Sequence, residues 1–229
     1  MKKTIIALSV AAASIATVPA MAAGGNSGAL SSLGLQAQHE DFSGDNSTDY
    51  GVYYSYGNKL TGDAGYIYEL KANAGWGSES GVDTQSYDLG GDLGYRYSLD
   101  RATFADIVGG VGYESLSMDY EGGPEPELQN PYFKAGVALG RHFNSENTGR
   151  IELGTRYNFN AQVDTDTDAG DVDLEDRNNF YTEASWMNTS TGVPLEVAVY
   201  YRQADMDYDA SGLSDEDRDV TGVRVGFMF

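Results

Sequence analysis

Residues 66–76 have the sequence YIYELKANAGW, in which nearly every second side chain is apolar or aromatic. Tyr66, Leu70 and Trp76 fall on one face of an extended chain, whereas Glu69 and Lys71 fall on the other. Because successive side chains of a β-strand point to opposite sides of its sheet, this stretch predicts a strand with one apolar face and one charged face.

The same two-residue period recurs from residue 33 to residue 229. The ten segments that show it are residues 33–39, 50–56, 66–76, 87–97, 106–114, 133–140, 151–159, 180–186, 195–202 and 221–229. A tilted strand needs about 9 to 11 residues to cross the hydrocarbon core of a membrane, and most segments are close to that length. A sheet in lipid must close on itself, because an open edge would leave backbone groups unpaired. The pattern predicts an all-β fold, a closed antiparallel up-and-down transmembrane β-barrel of about ten strands, with eight or twelve as alternatives.

The connections between these segments alternate in length and composition. The long or Asp-rich connections are residues 40–49, 77–86, 119–131, 161–178 and 203–218. The short ones are residues 57–65, 98–102, 144–149 and 188–194. Barrels of the bacterial outer membrane carry long loops outside the cell and short turns in the periplasm. The alternation therefore predicts that both ends of the barrel chain lie on the periplasmic side.

The amino terminus predicts export. Lys2 and Lys3 precede an uncharged apolar run, residues 4–18, which Pro19 ends before the small-residue motif Ala20-Met21-Ala22. This order of features is typical of a cleaved secretory signal peptide, and the run is too short for a membrane-spanning helix. The predicted divisions are a signal peptide (1–22), a short periplasmic lead (23–32) and a transmembrane barrel with long acidic extracellular loops (33–229).

The composition restricts the classes of partner and of site. The chain has 35 acidic and 14 basic residues and no cysteine. Binding to nucleic acid depends on Lys and Arg that displace counterions from phosphates, so this balance argues against a nucleic-acid partner. The lack of cysteine excludes disulfides, thiolate metal sites and a thiolate nucleophile.

The carboxy terminus carries a family resemblance. The last segment ends in Gly226-Phe227-Met228-Phe229, an alternating strand with a terminal aromatic residue. Together with the predicted signal peptide, this ending resembles the small bacterial outer-membrane barrels of the OmpA/OmpX-like and porin-family class. The resemblance implies that Phe229 is an assembly signal recognised by the barrel-assembly machinery. It also implies a place in the cell outer membrane among lipid and lipopolysaccharide, where we expect a monomer.

The faces opposite the apolar ones predict a charged lumen. The predicted luminal charges are Glu69, Lys71, Asp88, Asp92, Arg96, Asp106, Glu114, Lys134, Glu152, Arg156, Glu183, Glu196, Arg202 and Arg224. Acids and bases nearly balance, and unpaired buried charges are costly, so a narrow barrel would pair them into a plugged interior. The many inward glycines favour the other interpretation, in which gaps hold water and form a narrow channel.

Two acidic connections resemble calcium-binding loops in spacing. The candidate ligands for Ca²⁺ or Mg²⁺ are Asp164, Asp166, Asp168 and Glu175 in one loop, and Asp205, Asp207, Asp209 and Glu216 in the other. They occupy positions 1, 3, 5 and 12 of a twelve-residue loop, as in an EF-hand. Ala169 and Ala210 stand where that loop requires glycine, and the pattern predicts no flanking helices. The alternative is a pair of solvated acidic loops without bound metal or other cofactor.

The function expected from these patterns is that of a porin-like outer-membrane protein with a narrow cation-preferring channel. The alternative is a closed structural barrel whose acidic loops bind divalent cations, lipopolysaccharide or another surface. An outer-membrane hydrolase is a distant third. His39 and His142 are the two histidines, and no nucleophile is placed beside either, so we predict that the protein is not an enzyme.

Overall fold

The computed structural model describes residues 29–42, 45–61, 63–79, 82–120, 127–164, 172–173, 178–190, 192, 194–206 and 216–229. The strands in this part of the chain are β1 (Leu30–Phe42), β2 (Asp45–Gly57), β3 (Gly65–Glu79), β4 (Val82–Ser98), β5 (Thr103–Tyr120), β6 (Glu127–His142), β7 (Asn147–Asn158), β8 (Gln162–Asp164), β9 (Val172–Asp173), β10 (Asn178–Asn188), β11 (Leu195–Met206) and β12 (Glu216–Met228). No helix in the described residues is long and apolar enough to cross a membrane. The predicted signal peptide lies outside the described residues.

Ten long strands close into a barrel. Each pairs antiparallel with its neighbours along the chain, β7 pairs with β10, and β12 returns to pair with β1. The short strands β8 and β9 form a hairpin that adds to the outer end of β6. The predicted fold, a closed antiparallel up-and-down barrel of ten strands, is confirmed. We call the end where β1 begins and β12 ends the periplasmic end, and the other end the extracellular end.

The strands are longer than the alternating segments from which they were predicted. β3 and β4 stay paired out to Glu79 and Val82, and β1 and β2 out to Phe42 and Asp45. The prediction that residues 40–49 and 77–86 form long loops is therefore wrong. Beyond the membrane both faces of a strand can meet water, so backbone pairing continues after the alternation of side chains has stopped.

The first strand also begins earlier than predicted. β1 starts at Leu30, within the predicted lead of residues 23–32. The Ser31 amide donates to the Phe229 carbonyl at 3.0 Å, and the Phe229 amide donates back to the Ser31 carbonyl at 2.9 Å. The lead is shortened because the closing strand β12 supplies partners for these backbone groups.

The outer wall of the barrel is apolar. Tyr66, Leu93 and Leu35 are 84%, 72% and 70% exposed, respectively, and similar side chains cover every long strand. Such an exposed apolar surface would be unfavourable in water but matches the lipid-facing band of a membrane barrel.

Aromatic rings cover the inner wall where it carries glycine. The ring–glycine pairs on directly opposed positions of neighbouring strands are Phe104–Gly140, Tyr132–Gly112, Tyr200–Gly222, Tyr181–Gly154 and Tyr53–Gly34. Tyr181 and Tyr53 each reach one strand further, to Gly136 and Gly226. A Cβ atom at any of these glycines would overlap the ring. The expectation that inward glycines leave gaps is therefore wrong at these positions, because glycine makes room for a ring lying along the wall.

Candidate functional site: the charged lumen

All fourteen predicted luminal charges face the interior of the barrel. The most exposed side chain among them, Asp88, is 25% accessible, and most are nearly buried. The structure brings them together in two clusters, one towards the periplasmic end and one towards the extracellular end. We call these the lower cluster and the upper cluster.

The lower cluster begins with a chain of short ion pairs along the wall. Arg96 donates to both carboxylate oxygens of Asp106, at 2.8 and 2.9 Å. Arg150 donates to Asp106 at 2.8 Å and to Glu152 at 2.5 Å. The Arg96 guanidinium also stacks on the Phe104 ring at 3.5 Å from its centroid. Each arginine thus has a buried acidic partner, which offsets the cost of removing its charge from water.

Lys59 joins this cluster from the turn between β2 and β3. Its ammonium lies 2.9 Å from Glu152, 3.1 Å from Asp92 and 3.2 Å from Glu69, and its side chain is only 3% exposed. No sequence pattern indicates this role, because the sequence analysis assigns residues 57–65 to a short periplasmic turn. A lone lysine in a Gly-rich turn has no alternating neighbours that would assign it to the lumen.

One bridge of the lower cluster crosses the whole barrel. Lys71 on β3 lies 3.4 Å from Glu183 on β10, and Arg224 on β12 donates to the same carboxylate at 2.8 Å. In the ring of ten strands, β3 and β10 stand five strands apart in either direction. The Lys71–Glu183 pair therefore joins diametrically opposite walls.

The upper cluster centres on Glu114. Arg202 donates to its two oxygens at 2.7 and 2.8 Å, and Arg218 donates to it at 2.9 Å. Arg218 also donates twice to Glu40, at 2.8 and 3.0 Å. Since β5 and β12 likewise stand five strands apart, the Arg218–Glu114 pair is a second bridge across the full diameter.

Besides Lys59, four luminal charges are missed because they fall in stretches assigned to connections or just beyond them: Glu40, Asp49, Arg150 and Arg218. The parity of each strand could have identified all four. Glu40 continues the inward series of β1 after Gln36 and Gln38, and Arg218 continues that of β12. Every second side chain continues to face the lumen even in the part of the strand whose outward side chains no longer face lipid.

A cavity of about 120 Å³ separates the two clusters. Lys71, Lys134 and Glu183 line it, together with Asp88 and Arg156. By the usual allowance for a buried water, it can hold on the order of ten molecules. We call this cavity the central chamber. Its lining of both charge signs is consistent with a filling of water.

The side chains predicted to bind Ca²⁺ or Mg²⁺ lie outside the part of the chain that the structure describes. Asp166, Asp168, Glu175, Asp207 and Asp209 lie outside the described residues, as do the side chains of Asp164, Asp205 and Glu216. Within the described part of the chain, no group of three or more His, Asp or Glu side chains is arranged to hold a metal ion.

The two histidines lie at opposite ends of the barrel. His39 is on β1 near the extracellular end, where its Nδ1 lies 3.3 Å from the Thr48 hydroxyl. His142 closes β6 at the periplasmic end, with Nδ1 2.8 Å from the Thr148 hydroxyl. Each histidine therefore has a local hydroxyl partner on a neighbouring strand.

The family model of the outer membrane protein beta-barrel domain matches residues 8–229. The chain belongs to this family. Its place is accordingly the bacterial outer membrane, where the apolar wall meets lipid and the charged lumen is enclosed.

Three solved structures are similar to this chain at low sequence identity. The translocator domain of the autotransporter NalP from Neisseria meningitidis is 12% identical, with a TM-score of 0.53, over 99% of this chain and 98% of that one. Ail, the attachment invasion locus protein of Yersinia pestis, is 9% identical, with a TM-score of 0.41, over 90% and 100% of the two chains. OprG from Pseudomonas aeruginosa is 14% identical, with a TM-score of 0.38, over 90% and 98%. No curated protein matches the sequence. These likenesses concern the fold alone.

Proposed function

We propose that the protein is a closed outer-membrane barrel, inserted after export by a cleaved signal peptide, that acts through its acidic extracellular end and not as an open diffusion pore. The single observation that supports this most strongly is the pair of diametric bridges, Lys71–Glu183 and Arg218–Glu114. They cross the lumen at two levels, and Lys71, Glu183 and Glu114 all line the central chamber. A solute passing along the barrel axis would have to break both.

Breaking such bridges is costly in a narrow lumen. Separating a buried ion pair leaves two charges without partners, and removing one partner of such a pair typically costs about 3 to 5 kcal/mol. The surrounding network raises this further, since Glu114 holds Arg202 as well as Arg218. The closed state is therefore expected to dominate.

The distribution of charge supports a surface role for the extracellular end. Among the described residues, nine Lys and Arg side chains line the lumen, and ten acidic side chains accompany them. The exposed ionised residues described at the extracellular end are acidic, namely Asp41, Asp83, Asp119, Asp217 and Asp219. Such a surface attracts cations and repels the phosphates of lipopolysaccharide unless divalent cations bridge them. We propose Ca²⁺ or Mg²⁺ as that bridge, with lipopolysaccharide as the neighbouring partner.

The two parts of this proposal have separate tests. Vesicles containing the refolded protein are expected not to swell in solutions of small sugars, and swelling above that of empty vesicles would overturn the closed barrel. In vesicles that contain lipopolysaccharide, millimolar Mg²⁺ is expected to raise the unfolding temperature. An unchanged unfolding temperature would overturn the role of the cation.

A second candidate function is the narrow cation-preferring channel. The central chamber favours it, because part of the lumen already has room for water. This function requires a path past both diametric bridges, and its expected signature is small, cation-selective conductance without sugar passage.

A further inference from the structure

Lys59 differs from every other described luminal charge in its place in the chain. The others project from strands of the barrel wall, whereas Lys59 belongs to the turn that follows β2. We call residues 58–61, 63 and 64 the plug turn. A charge on a turn can leave the lumen through a local rearrangement, whereas a charge on the wall cannot leave without breaking the backbone pairing of two strands.

Lys59 holds the plug turn to the interior at two points. Its ammonium binds the three carboxylates of Glu69, Asp92 and Glu152. Its carbonyl accepts a hydrogen bond from Arg96 Nη2 at 2.6 Å. At the start of the turn, the Asn58 side chain accepts from the Tyr68 amide at 2.8 Å, so this first residue is fixed to β3. Beyond Asn58, Lys59 supplies charged contacts between the turn and the barrel interior.

The carboxylates bound by Lys59 also belong to the central chamber. Asp92 and Glu152 line the chamber, and the Lys59 ammonium reaches both from the periplasmic side. The lysine therefore stands between the chamber and the periplasmic end of the barrel. Removing it would leave an acidic opening of the size of an ammonium group at that position.

We propose that the plug turn closes the periplasmic side of the central chamber, that the Lys59 ammonium holds it there, and that it can withdraw. Its withdrawal connects the chamber with the periplasm while the ten-stranded wall stays intact. The three carboxylates then form a site for a primary ammonium ion, for which Lys59 is the tethered occupant. This proposal rests on the closed barrel proposed above, because withdrawal of the plug turn changes access to the chamber only if the rest of the lumen is closed.

The test uses the absence of cysteine from the chain. A single thiol is introduced by Asn73→Cys, at a position that lines the chamber, and its reaction with a small cationic methanethiosulfonate is timed in refolded protein. With Lys59 in place we expect slow modification. In Lys59→Ala it should be at least about tenfold faster, because local opening now exposes the thiol. Methylammonium at tens of millimolar should slow it again by occupying the vacated site.

The control is Lys134→Ala in the same Asn73→Cys background. Lys134 also binds Asp92, but it projects from the wall strand β6, so its loss removes the same charge and leaves the plug turn latched. We expect less than about a threefold change in rate. Equal acceleration in both variants would show general loosening of the lower cluster and would overturn the plug.

The remaining outcomes separate the two proposals. Slow modification in both Lys59 and Lys59→Ala proteins overturns the plug and leaves the closed barrel standing. Fast modification with Lys59 in place means that the chamber is open by another route and overturns the closed barrel itself. If Lys59→Ala fails to give the heat-modifiable folded band, Lys59→Met replaces it, since methionine keeps the apolar stem and loses the charge.

Discussion

The middle of the strands and their extracellular ends differ in the kind of side chain that points outward from the barrel. In the middle, outward side chains are large and apolar, as at Leu93 on β4. Towards the extracellular end of the same strand, Asp83 and Gln85 are exposed and polar, yet both remain paired with β5. Backbone pairing therefore does not depend on the apolar alternation. Contact with lipid requires apolar side chains at outward positions in the middle of the strands. The inward positions face the lumen along the whole length of each strand.

Removing a charge should have its largest effect in the lumen and almost none at the extracellular surface. Glu114→Ala on β5 leaves Arg202 and Arg218 without a shared carboxylate, so we expect a loss of about 3 to 5 kcal/mol in the free energy of unfolding. Asp119→Ala on the same strand removes an exposed carboxylate and should change it by less than about 0.5 kcal/mol. Urea titration of the protein in vesicles measures both. Equal losses of unfolding free energy in the two variants would contradict the distinction between luminal and surface charges.

The second-largest difference between the middle and the extracellular ends of the strands is expected when a charge is added to the outer wall. Leu93→Arg places a guanidinium in the lipid-facing band and should cost about 2 to 4 kcal/mol. Gln85→Arg, on the extracellular part of β4, should cost about 0 to 1 kcal/mol. The same unfolding titration applies. A large cost at Gln85 would mean that the hydrocarbon core of the membrane extends beyond this position.

Glycines on the inward and outward faces of one strand should differ less in their effect on stability. Gly112→Ala on β5 forces the Tyr132 ring away from the wall and from the Arg156 guanidinium stacked on it, which should cost about 1 to 3 kcal/mol. Gly109→Ala has no neighbour nearer than the Lys134 carbonyl at 3.7 Å and should change stability by less than about 1 kcal/mol. A neutral Gly112→Ala would mean that the ring moves freely.

The smallest effect is expected at the periplasmic turn between β4 and β5. Backbone amides of Ala102 and Thr103 donate to Asp100, which lowers the pKa of its carboxyl from the usual 3.8. The stabilisation is thus complete above pH 3.8 and is lost as the pH falls through the lowered pKa. Asp100→Ala should lower the urea midpoint slightly at neutral pH, and the difference from the natural protein should vanish in acid. A pH-independent difference would contradict this assignment.

The sequence predicted the strands best where the environment repeats with the strand period. Lipid on one side and a closed lumen on the other fix alternate positions such as Leu70 and Glu69, so the ten segments and their inward charges followed from period two. The strand ends could not be predicted this way, because the outer face there has no apolar requirement. Glu40 and Arg218 keep the inward parity, but nothing in their outward neighbours marks them as strand.

Two features depend on contacts that no local pattern encodes. In the sequence an inward glycine indicates a gap, since nothing in its neighbours shows that a ring from the next strand covers it. Gly112 and Tyr132 are twenty positions apart in the sequence and meet only through the register of β5 and β6. Lys59 lies in a turn without periodicity, and its three acidic partners come from three different strands.

The most direct test of the central claim is single-channel conductance of the refolded protein in a planar bilayer. The natural sequence should be silent, and the triple variant Lys59→Ala, Lys71→Ala and Arg218→Ala, which removes both diametric bridges and the contacts of Lys59, should show discrete cation-selective steps. A heat-modifiable band confirms folding in each case. Steady conductance by the natural sequence, or silence of the folded triple variant, would contradict closure of the lumen by these contacts.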